Sequence, residues 1–368
     1  MPVNQFSNKK IFYYGDRILE AINGSITEPV VYELSLSGKC NCSCEYCCCK
    51  HFKSDDMLSE KDIDILAEEL SLNHAEAVTI TGGGEPLTNP FFCYCVKQLR
   101  TNHISVGLIT NGLLLNEENI PIIANEGKFV RISLDTVWPD RYQLIRGTSL
   151  DVDALENNLR HLVLKRNQVK SDLLIGAQIV YYCQSPEEIE DTILFCQKCG
   201  LDFIQIRPVD NVTGDTLNRQ YSFYSKHAAM LEIFKRKYST ERFAIHINQN
   251  KFDEYYSSSV EKKYKQCLGG NFTISVGHDM NLYYCCANIG NLKCCIGNLR
   301  EQRLNELLHS DKRKKYITNP DWQYCQMQCR NHKINKILCE LQKLSTDEVI
   351  DIIANESKLP KPMHYEFL

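Results

Sequence analysis

The sequence lacks the features that would place the protein in a membrane, outside the cell or on nucleic acid. No apolar run approaches the roughly 20 residues needed to span a bilayer, so we expect no membrane partner. Residues 1–10 are polar and contain no apolar core of a secretory signal, which favours a cytoplasmic protein. The formal net charge of -4 gives no electrostatic reason to expect a nucleic acid partner.

Histidine ligand pairs are also missing, whereas cysteine is abundant. The histidines are scattered, with no pair at the H-x3-H spacing, and we single out none of them as a ligand. The chain of 368 residues contains 19 cysteines. Such a number would indicate disulfides in a secreted chain, but in a reducing cytoplasm clustered cysteines more often bind metal.

The most informative cluster is a cysteine triplet that follows a predicted strand at residues 29–36. Cys40, Cys44 and Cys47 have the spacing C-x3-C-x2-C, and Tyr46 stands directly before the third cysteine. Thiolates bind iron–sulfur clusters, and three of them leave one iron of a cubane open to another ligand. By itself the spacing also allows half of a zinc site or buried structural cysteines. We interpret the neighbouring cysteines as packing or incidental thiols: Cys42, Cys48 and Cys49.

Strand and helix patterns alternate from residue 30 to residue 210, which is typical of parallel β/α construction. Ser59 and Ser185 are predicted to begin two of the helices, because each has an acidic residue three positions later. Periodicity alone leaves two folds open, a partial barrel and a doubly wound open sheet. The six predicted strands are residues 29–36, 77–81, 105–109, 129–133, 173–181 and 203–207.

A glycine turn follows the second predicted strand. The sequence Thr81-Gly-Gly-Gly-Glu-Pro86 places glycines at a strand end, where they permit close approaches that a side chain would block. Together, the cysteine triplet and this turn resemble the radical S-adenosylmethionine (SAM) superfamily. The resemblance implies an α/β fold whose core is a partial (β/α)6 TIM-like barrel, and so favours that alternative.

The resemblance also implies cofactors and their contacts. A [4Fe–4S] cluster would be held by Cys40, Cys44 and Cys47, with SAM bound at the open iron. Gly83, Gly84 and Glu85 would match the superfamily's GGEP element, whose backbone holds the amino group of the SAM methionine. We expect Glu85 to shape the turn rather than to accept a proton.

Residues at the ends of the next strands are further candidates for SAM binding. Ser133 and Asp135 share one face of their strand because side chains alternate. In relatives, such positions bind the carboxylate, ribose and adenine of SAM, although strand-end hydrogen bonding is an alternative explanation. Arg146 occupies the place of a similar Arg-Gly in relatives, and a structural ion pair would explain it equally well. The candidates carried over are Tyr46, Asn111, Ser133, Asp135 and Gln178.

A second set of cysteines lies near the C-terminus. Four cysteines saturate a cubane without leaving an iron open. The set resembles the Twitch form of the SPASM/Twitch extension, which implies an auxiliary [4Fe–4S] cluster. The family pattern has a glycine shortly before the second ligand cysteine, and here Met280 stands in its place, which leaves the choice between Cys285 and Cys286 open. The predicted ligands are Cys267, Cys285, Cys325 and Cys329.

Other assignments of the cysteines stay open at this point. A zinc site competes with the auxiliary cluster, and Cys294 and Cys295 are alternative ligands. Cys196 and Cys199 form a C-x2-C pair, but they lie on a helix predicted to end at Gly200, and we interpret them as packing residues.

The pattern changes after Val209, where helices and short cysteine-rich segments replace the regular alternation. We therefore predict five regions. They are an N-terminal lead at 1–28, a radical SAM core at 29–215, a helical linker region at 216–262, a SPASM/Twitch-like auxiliary domain at 263–335 and a C-terminal helical tail at 336–368.

The resemblance implies reductive cleavage of SAM to a 5′-deoxyadenosyl radical, which abstracts a substrate hydrogen atom, with a flavodoxin- or ferredoxin-type protein as the electron donor. We expect a small hydroxylated substrate, sugar-like or aminocyclitol-like, and Gln205 and Arg207 on the last barrel strand are candidates to bind it. One alternative is an enzyme that modifies a peptide or protein. Another is a non-catalytic iron–sulfur scaffold.

Overall fold

The computed structural model describes residues 6–209, 214–256, 262, 264–325 and 329–368. Their strands form one ten-stranded sheet in the order β10-β9-β8-β1-β2-β3-β4-β5-β6-β7. The strands from β8 to β7 in this order are parallel, whereas β9 and β10 are antiparallel. The strands are β1 (Val31–Ser35), β2 (Ala77–Thr81), β3 (Ser105–Thr110), β4 (Gly127–Ser133), β5 (Leu174–Tyr181), β6 (Phe203–Pro208), β7 (Ala244–Ile247), β8 (Thr273–Val276), β9 (Asn281–Tyr283) and β10 (Cys295–Asn298).

Helices connect the parallel strands. Both predicted capping boxes are confirmed, with Ser59 paired to Asp62 and Ser185 paired to Glu188. The helices in the described residues are α1 (Gly15–Ile22), α2 (Glu60–Leu72), α3 (Phe92–Thr101), α4 (Asn119–Glu126), α5 (Pro139–Arg146), α6 (Val152–Val169), α7 (Pro186–Cys199), α8 (Gly214–Tyr238), α9 (Gln249–Tyr256), α10 (Leu304–Leu308), α11 (Asp311–Thr318), α12 (His332–Leu341) and α13 (Thr346–Ser357). None of them is long and apolar enough to cross a membrane.

The predicted α/β core is confirmed, and all six predicted strands are present as β1 to β6. The sheet nevertheless extends further on both sides than six strands. Strand β7 pairs with β6, and β8 pairs with β1 at the opposite side. The reason is physical: a six-stranded sheet has unpaired backbone groups at its edges, and these two short strands satisfy them. The domain boundary at residue 215 stays a prediction. Strands β7 and β8, which follow this boundary in the sequence, belong to the same sheet as β1 to β6.

The N-terminal lead and the C-terminal tail, predicted as separate regions, pack against each other. Ile11, Phe12 and Ile18 share a buried cluster with side chains of α12 and α13 and with Phe367. Lys10 Nζ donates hydrogen bonds to the carbonyl oxygens of His364 (3.1 Å) and Phe367 (2.9 Å). The two ends of the described chain therefore stabilise one side of the barrel together.

A larger hydrophobic cluster lies between the helices and the sheet. It includes Leu66 and Leu70 of α2, Leu159 of α6 and Ile193 of α7, all nearly inaccessible to solvent. Cys196 and Cys199 belong to this cluster, in agreement with the prediction that they are packing residues. The helices thus cover one face of the parallel strands, and the other face is left to line the interior of the barrel.

Candidate active site

A cleft of about 900 Å³ collects most of the residues predicted to hold the first cluster and SAM. It lies at the carboxyl ends of the parallel strands, where such barrels carry their functional groups. The predicted residues that line it are Cys40, Cys44, Tyr46, Cys47, Gly83, Gly84, Glu85, Asn111, Ser133 and Gln178. Sequence patterns thus identified ten residues that tertiary structure brings to one place.

The loop that carries the cysteine triplet is fixed by backbone contacts with the end of α5. Ser43 N donates to Arg146 O (2.8 Å), and Glu45 N donates to Ile145 O (3.1 Å). Helix α5 is absent from the sequence-based prediction, although Pro139 in its first turn and Gly147 after its last residue mark its ends. This helix therefore positions the loop rather than only covering the sheet.

The thiols of the triplet differ in acidity. Hydrogen bonding with the Cys42 side chain lowers the pKa of both Cys40 and Cys44 to about 6. Arg146 contributes at Cys44, because its guanidinium lies 3.4 Å from Cys44 Sγ. Burial raises the pKa of Cys47. Two of the three thiols are thus favoured as thiolates, the form that binds iron.

The glycine turn packs directly on the cysteine loop. Gly83 N donates to Ser35 Oγ (2.8 Å), and Gly84 N donates to Ser37 O (2.8 Å). A side chain at Gly84 would collide with the backbone carbonyl of Lys39, one residue before Cys40. The turn therefore requires glycine there because two backbone segments approach each other closely.

Glu85 shapes this turn, as predicted. Its carboxylate accepts hydrogen bonds from Thr110 Oγ1 (2.5 Å), Leu87 N (3.1 Å) and Asn111 N (2.8 Å). Burial raises the pKa of Glu85 to about 7. Its oxygens connect the ends of β2 and β3 and are engaged by the protein.

Three strand-end residues keep polar groups at the cleft. Asn111 Nδ2 donates to Asn41 Oδ1 (2.6 Å) in the cysteine loop. Gln178 Oε1 is buried and has no hydrogen-bond partner among the described residues. Ser133 and Gln178 are neighbours in the register of β4 and β5. An acceptor without a partner at this place fits a ligand with hydroxyl or amino groups, such as SAM.

Asp135 was predicted to contact SAM, but it is not among the residues that line the cleft. It is fully buried, it does not line the cleft, and its backbone has a positive φ of 65° that turns it inward. Its carboxylate accepts hydrogen bonds from Val180 N (2.8 Å) and the Tyr46 hydroxyl, and it pairs with Arg146 Nε (2.7 Å). Asp135 therefore holds Tyr46 and Arg146 in place.

Several residues that line the cleft were not predicted from the sequence. Lys53 is one of them, and its Nζ donates to Cys42 O (2.6 Å). Arg207 of β6, predicted as a substrate residue, lines the cleft as well. The cysteines interpreted as incidental also line it, namely Cys42, Cys48 and Cys49. A lysine six residues after the triplet was the available signal for Lys53, but a basic residue in a loop is too common to be specific.

A second cavity of about 630 Å³ brings together the C-terminal cysteines. Cys267, Cys285, Cys325 and Cys329 all line it, although they come from three separate places in the sequence. Two more thiols, Cys286 and Cys294, also line this cavity, whereas Cys295 does not.

Polar side chains surround these thiols. Asn335 Nδ2 lies 3.4 Å from Cys267 Sγ, Asn288 Nδ2 lies 3.5 Å from Cys285 Sγ, and Lys262 Nζ lies 2.5 Å from Cys325 Sγ. Hydrogen bonding with Cys329, together with Lys262, lowers the pKa of Cys325 to about 6. Burial raises the pKa of Cys267 and Cys285. Donors to sulfur are what a site for a sulfur-rich cluster requires.

Met280 stands at the position where the family pattern used in the sequence-based prediction has a glycine. It lies in the turn between β8 and β9 with φ 64°, the left-handed conformation in which glycine is usual. Its side chain is completely buried. Met280 thus has a backbone conformation in which glycine is usual, and β8 and β9 pair on either side of it.

A third cavity, which we call the chamber, lies inside the barrel and has a volume of about 1220 Å³. Its wall includes Gln205 and Arg207, the two predicted substrate residues. The rings of Phe129 and Phe203 also line it, together with residues of the C-terminal tail. Arg207 lines both the chamber and the cleft, while Glu33, Cys286 and Arg330 line both the chamber and the second cavity.

Comparison with known proteins agrees with this arrangement. Residues 34–196 match the Radical SAM superfamily. This region is similar to radical SAM domains. Members of this superfamily are enzymes that use a [4Fe–4S] cluster and SAM and that need an external reductant. The matched residues include the cysteine triplet, the glycine turn and the polar strand ends of the cleft.

One relative is the tungsten-containing aldehyde ferredoxin oxidoreductase cofactor-modifying protein of Pyrococcus furiosus. It is 23% identical over 189 residues, which cover 50% of this chain and 53% of that protein. The match thus spans about half the length of this relative.

Two solved structures have a similar fold. Streptococcus suis SuiB bound to precursor peptide SuiA has a TM-score of 0.62 at 18% identity, covering 87% of this chain and 76% of that chain. Native anSMEcpe with bound AdoMet and a peptide has a TM-score of 0.58 at 16% identity, covering 89% and 99%. These similarities extend beyond residue 196 and agree with the partial barrel.

Proposed function

We propose that the protein is a radical SAM enzyme that removes a hydrogen atom from a substrate held in the chamber. One observation carries this proposal: the chamber shares lining residues with the cleft at one end and with the second cavity at the other. A substrate in the chamber would contact both sites, which suits oxidation in two one-electron steps.

The first site supplies the radical chemistry. When bound, the cluster and SAM together supply a reductive cleavage that produces a hydrogen-abstracting radical. Cys40, Cys44 and Cys47 would hold the cluster, and Gly83, Gly84, Ser133 and Gln178 would orient SAM. Buried side chains around the cleft would exclude water and competing hydrogen donors.

The second cavity would hold an auxiliary [4Fe–4S] cluster on Cys267, Cys285, Cys325 and Cys329. Within the described part of the chain, no three His, Cys, Asp or Glu side chains converge closely enough for a single metal ion. Zinc stays the competing occupant, and the metal content measured in the test below separates the two. Such a cluster supplies one-electron transfer when bound.

The substrate that we favour is a small polar metabolite. Gln205 and Arg207 line the chamber, and they offer hydrogen bonds to hydroxyl or anionic groups. A flavodoxin- or ferredoxin-type protein would deliver the electron to the first cluster.

Modification of a peptide is the second candidate, and a specific observation favours it. The two structures that share the fold, SuiB and anSMEcpe, were both solved with a bound peptide. A larger mouth beside the chamber, with a volume of about 1410 Å³, would give a peptide access.

The decisive test of the function is SAM cleavage. The protein, reconstituted anaerobically, is expected to bind about eight irons, the number in two cubanes, and to release 5′-deoxyadenosine when dithionite and SAM are added. Cys44→Ala should abolish the release. Cys93→Ala, at a partly buried thiol outside both cysteine sites, is the matched control and should leave it unchanged.

The outcomes separate the alternatives. A fully loaded protein that does not cleave SAM would support the scaffold hypothesis. An iron content near four in the wild-type protein would rule out the auxiliary cluster. Bound zinc would indicate that the second cavity is a zinc site. Comparing Cys285→Ala with Cys286→Ala identifies the ligand, since only the ligand variant should lose about four irons.

A further inference from the structure

The chamber and its mouth carry an excess of positive charge. Their only acidic lining residue in the described part of the chain is Glu33. The chain as a whole is slightly acidic, with a formal net charge of -4, so this concentration is local. The basic residues that line the two spaces are Lys10, Arg131, Arg207, Lys235, Lys251, Arg330 and Lys333.

Arg330 and Lys10 are held by contacts with other parts of the chain. Arg330 pairs with Glu33 and donates through Nε to the main-chain oxygen of Leu368 (2.8 Å). Lys10 donates to two carbonyl oxygens of the tail, as described above. Glu33 is thereby engaged by Arg330.

Arg131 is the clearest unsatisfied group. It projects from β4 toward the chamber, and its Nη1 lies 3.4 Å from Gln205 Oε1, a neutral and distant acceptor. Its Nε is buried and has no hydrogen-bond partner among the described residues. A guanidinium offers five donors in a fixed fork that matches a carboxylate or a phosphate.

Arg207 and Lys251 lie on the wall of the same chamber. Arg207 Nε contacts the neutral carbonyl oxygen of Pro208 (3.4 Å). Burial, with Arg207 nearby, lowers the pKa of Arg131 to about 9 and that of Lys251 to about 6. Basic groups held close together in a buried site repel one another when they are protonated, and a bound anion would offset this repulsion.

We propose that the chamber binds the anionic group, a carboxylate or a phosphate, of a small substrate through Arg131, Arg207 and Lys251. The proposal rests on the proposed function, since it takes the chamber as the substrate site. It also narrows the substrate class, because the positive amino groups of an aminocyclitol would be repelled by these basic side chains.

The strand register indicates how such a substrate would lie. Arg131 is two residues before Ser133 on β4, and both side chains face the barrel interior, so the anion site is roughly 7 Å below the row of Ser133 and Gln178. The anionic end would be held at that depth, and the rest of the molecule would extend past Arg207 to the cleft.

The test uses anion binding to the full-length reconstituted protein, measured by isothermal titration calorimetry under anaerobic conditions. Inorganic phosphate and succinate serve as separate probes for the two anion types. We expect at least one of them to bind, and Arg131→Gln to weaken this binding by about tenfold or more, as the loss of a charged hydrogen bond predicts. Arg236→Gln, at an exposed position of α8, is the matched control and should bind like the wild type.

Arg131→Lys retains the charge and should recover part of the affinity, which separates anion binding from a defect in folding. Iron content and circular dichroism verify that each variant is folded, and Arg207→Gln replaces Arg131→Gln if the latter is not. Absence of binding to the wild type, or equal binding by folded Arg131→Gln, would overturn the proposal. Since binding does not require SAM cleavage, a failure here is distinguishable from a failure of the proposed function.

Discussion

At the scale of single residues, two buried residues have backbone conformations with positive φ. Met280 and Asp135 both have φ near the left-handed value, 64° and 65°. In each case the strained backbone is accompanied by a side chain that is buried and engaged. At Met280 the surrounding structure imposes the conformation, whereas at Asp135 the residue type itself tolerates it.

Met280→Gly tests this at the second site. Glycine relieves about 1–2 kcal/mol of left-handed strain, but loss of the buried side chain costs about 2–5 kcal/mol, so we expect net destabilisation. Met280→Ala loses the side chain and keeps the strain. In urea denaturation under anaerobic conditions, the alanine variant should therefore be less stable than the glycine variant by about 1 kcal/mol. An alanine variant as stable as the glycine variant would contradict the argument.

Asp135→Asn tests the buried ion pair beside the first site. The change leaves the Arg146 guanidinium without its counter-ion next to Cys44, and breaking such a pair costs about 3–5 kcal/mol. We expect lower stability in denaturation experiments and reduced iron content after reconstitution. Asp140→Asn, at an exposed position of α5, is the control. Normal iron content in folded Asp135→Asn would show that the pair does not position the cysteine loop.

At the scale of secondary-structure elements, the turn between β8 and β9 supports the SAM cleft. It carries His278, whose Nδ1 lies 3.2 Å from Ser35 Oγ and whose Nε2 lies 3.1 Å from Ser54 Oγ. Its ring is 4.1 Å from that of Phe52. Because Ser35 Oγ also accepts from Gly83 N, His278 connects the C-terminal strands to the glycine turn.

We therefore expect His278→Ala to weaken SAM binding although this residue does not line the cleft. The loss of two hydrogen bonds and a ring contact should cost about 2–3 kcal/mol of stability. Calorimetric titration of the reconstituted protein with SAM measures the affinity. His309→Ala, a partly exposed histidine elsewhere, provides the reference. An unchanged SAM affinity in the His278 variant would show that the contact is structural only.

The pairing of β7 with β6 and of β8 with β1 also depends on how whole elements are arranged. Both β7 and β8 are short strands, and their partners in the sheet lie far away in the sequence. A local pattern gives the tendency to form a strand, whereas the partner depends on which edge is open.

At the scale of the whole molecule, the two ends of the described chain close the barrel from below. Phe367 packs edge-on against Phe129 of β4, with ring centroids 4.9 Å apart. Both rings line the chamber, so the tail contributes to the space that we propose for the substrate.

Phe367→Ala should destabilise the protein by about 3 kcal/mol, since it removes a buried aromatic ring, and it should open the floor of the chamber. The loss of stability is measured from the midpoints of denaturation. Leu359→Ala, at a side chain that is 52% exposed, should change stability by less than about 0.5 kcal/mol. Equal stability of the two variants would mean that the tail is not part of the core.

Local sequence was sufficient for the alternation of β1 to β6 with helices, for the two capping boxes, for the cysteine triplet and for the glycine turn. Each depends on residues within a few positions of one another, so spacing and chemistry identify it. Helices α5, α9, α11 and α12 were not predicted, and the inward turn of Asp135 and the partners of β7 and β8 were decided by tertiary structure. So was the group of basic residues in the chamber, because Arg131, Arg207 and Lys251 come from distant segments that only packing of the barrel brings together.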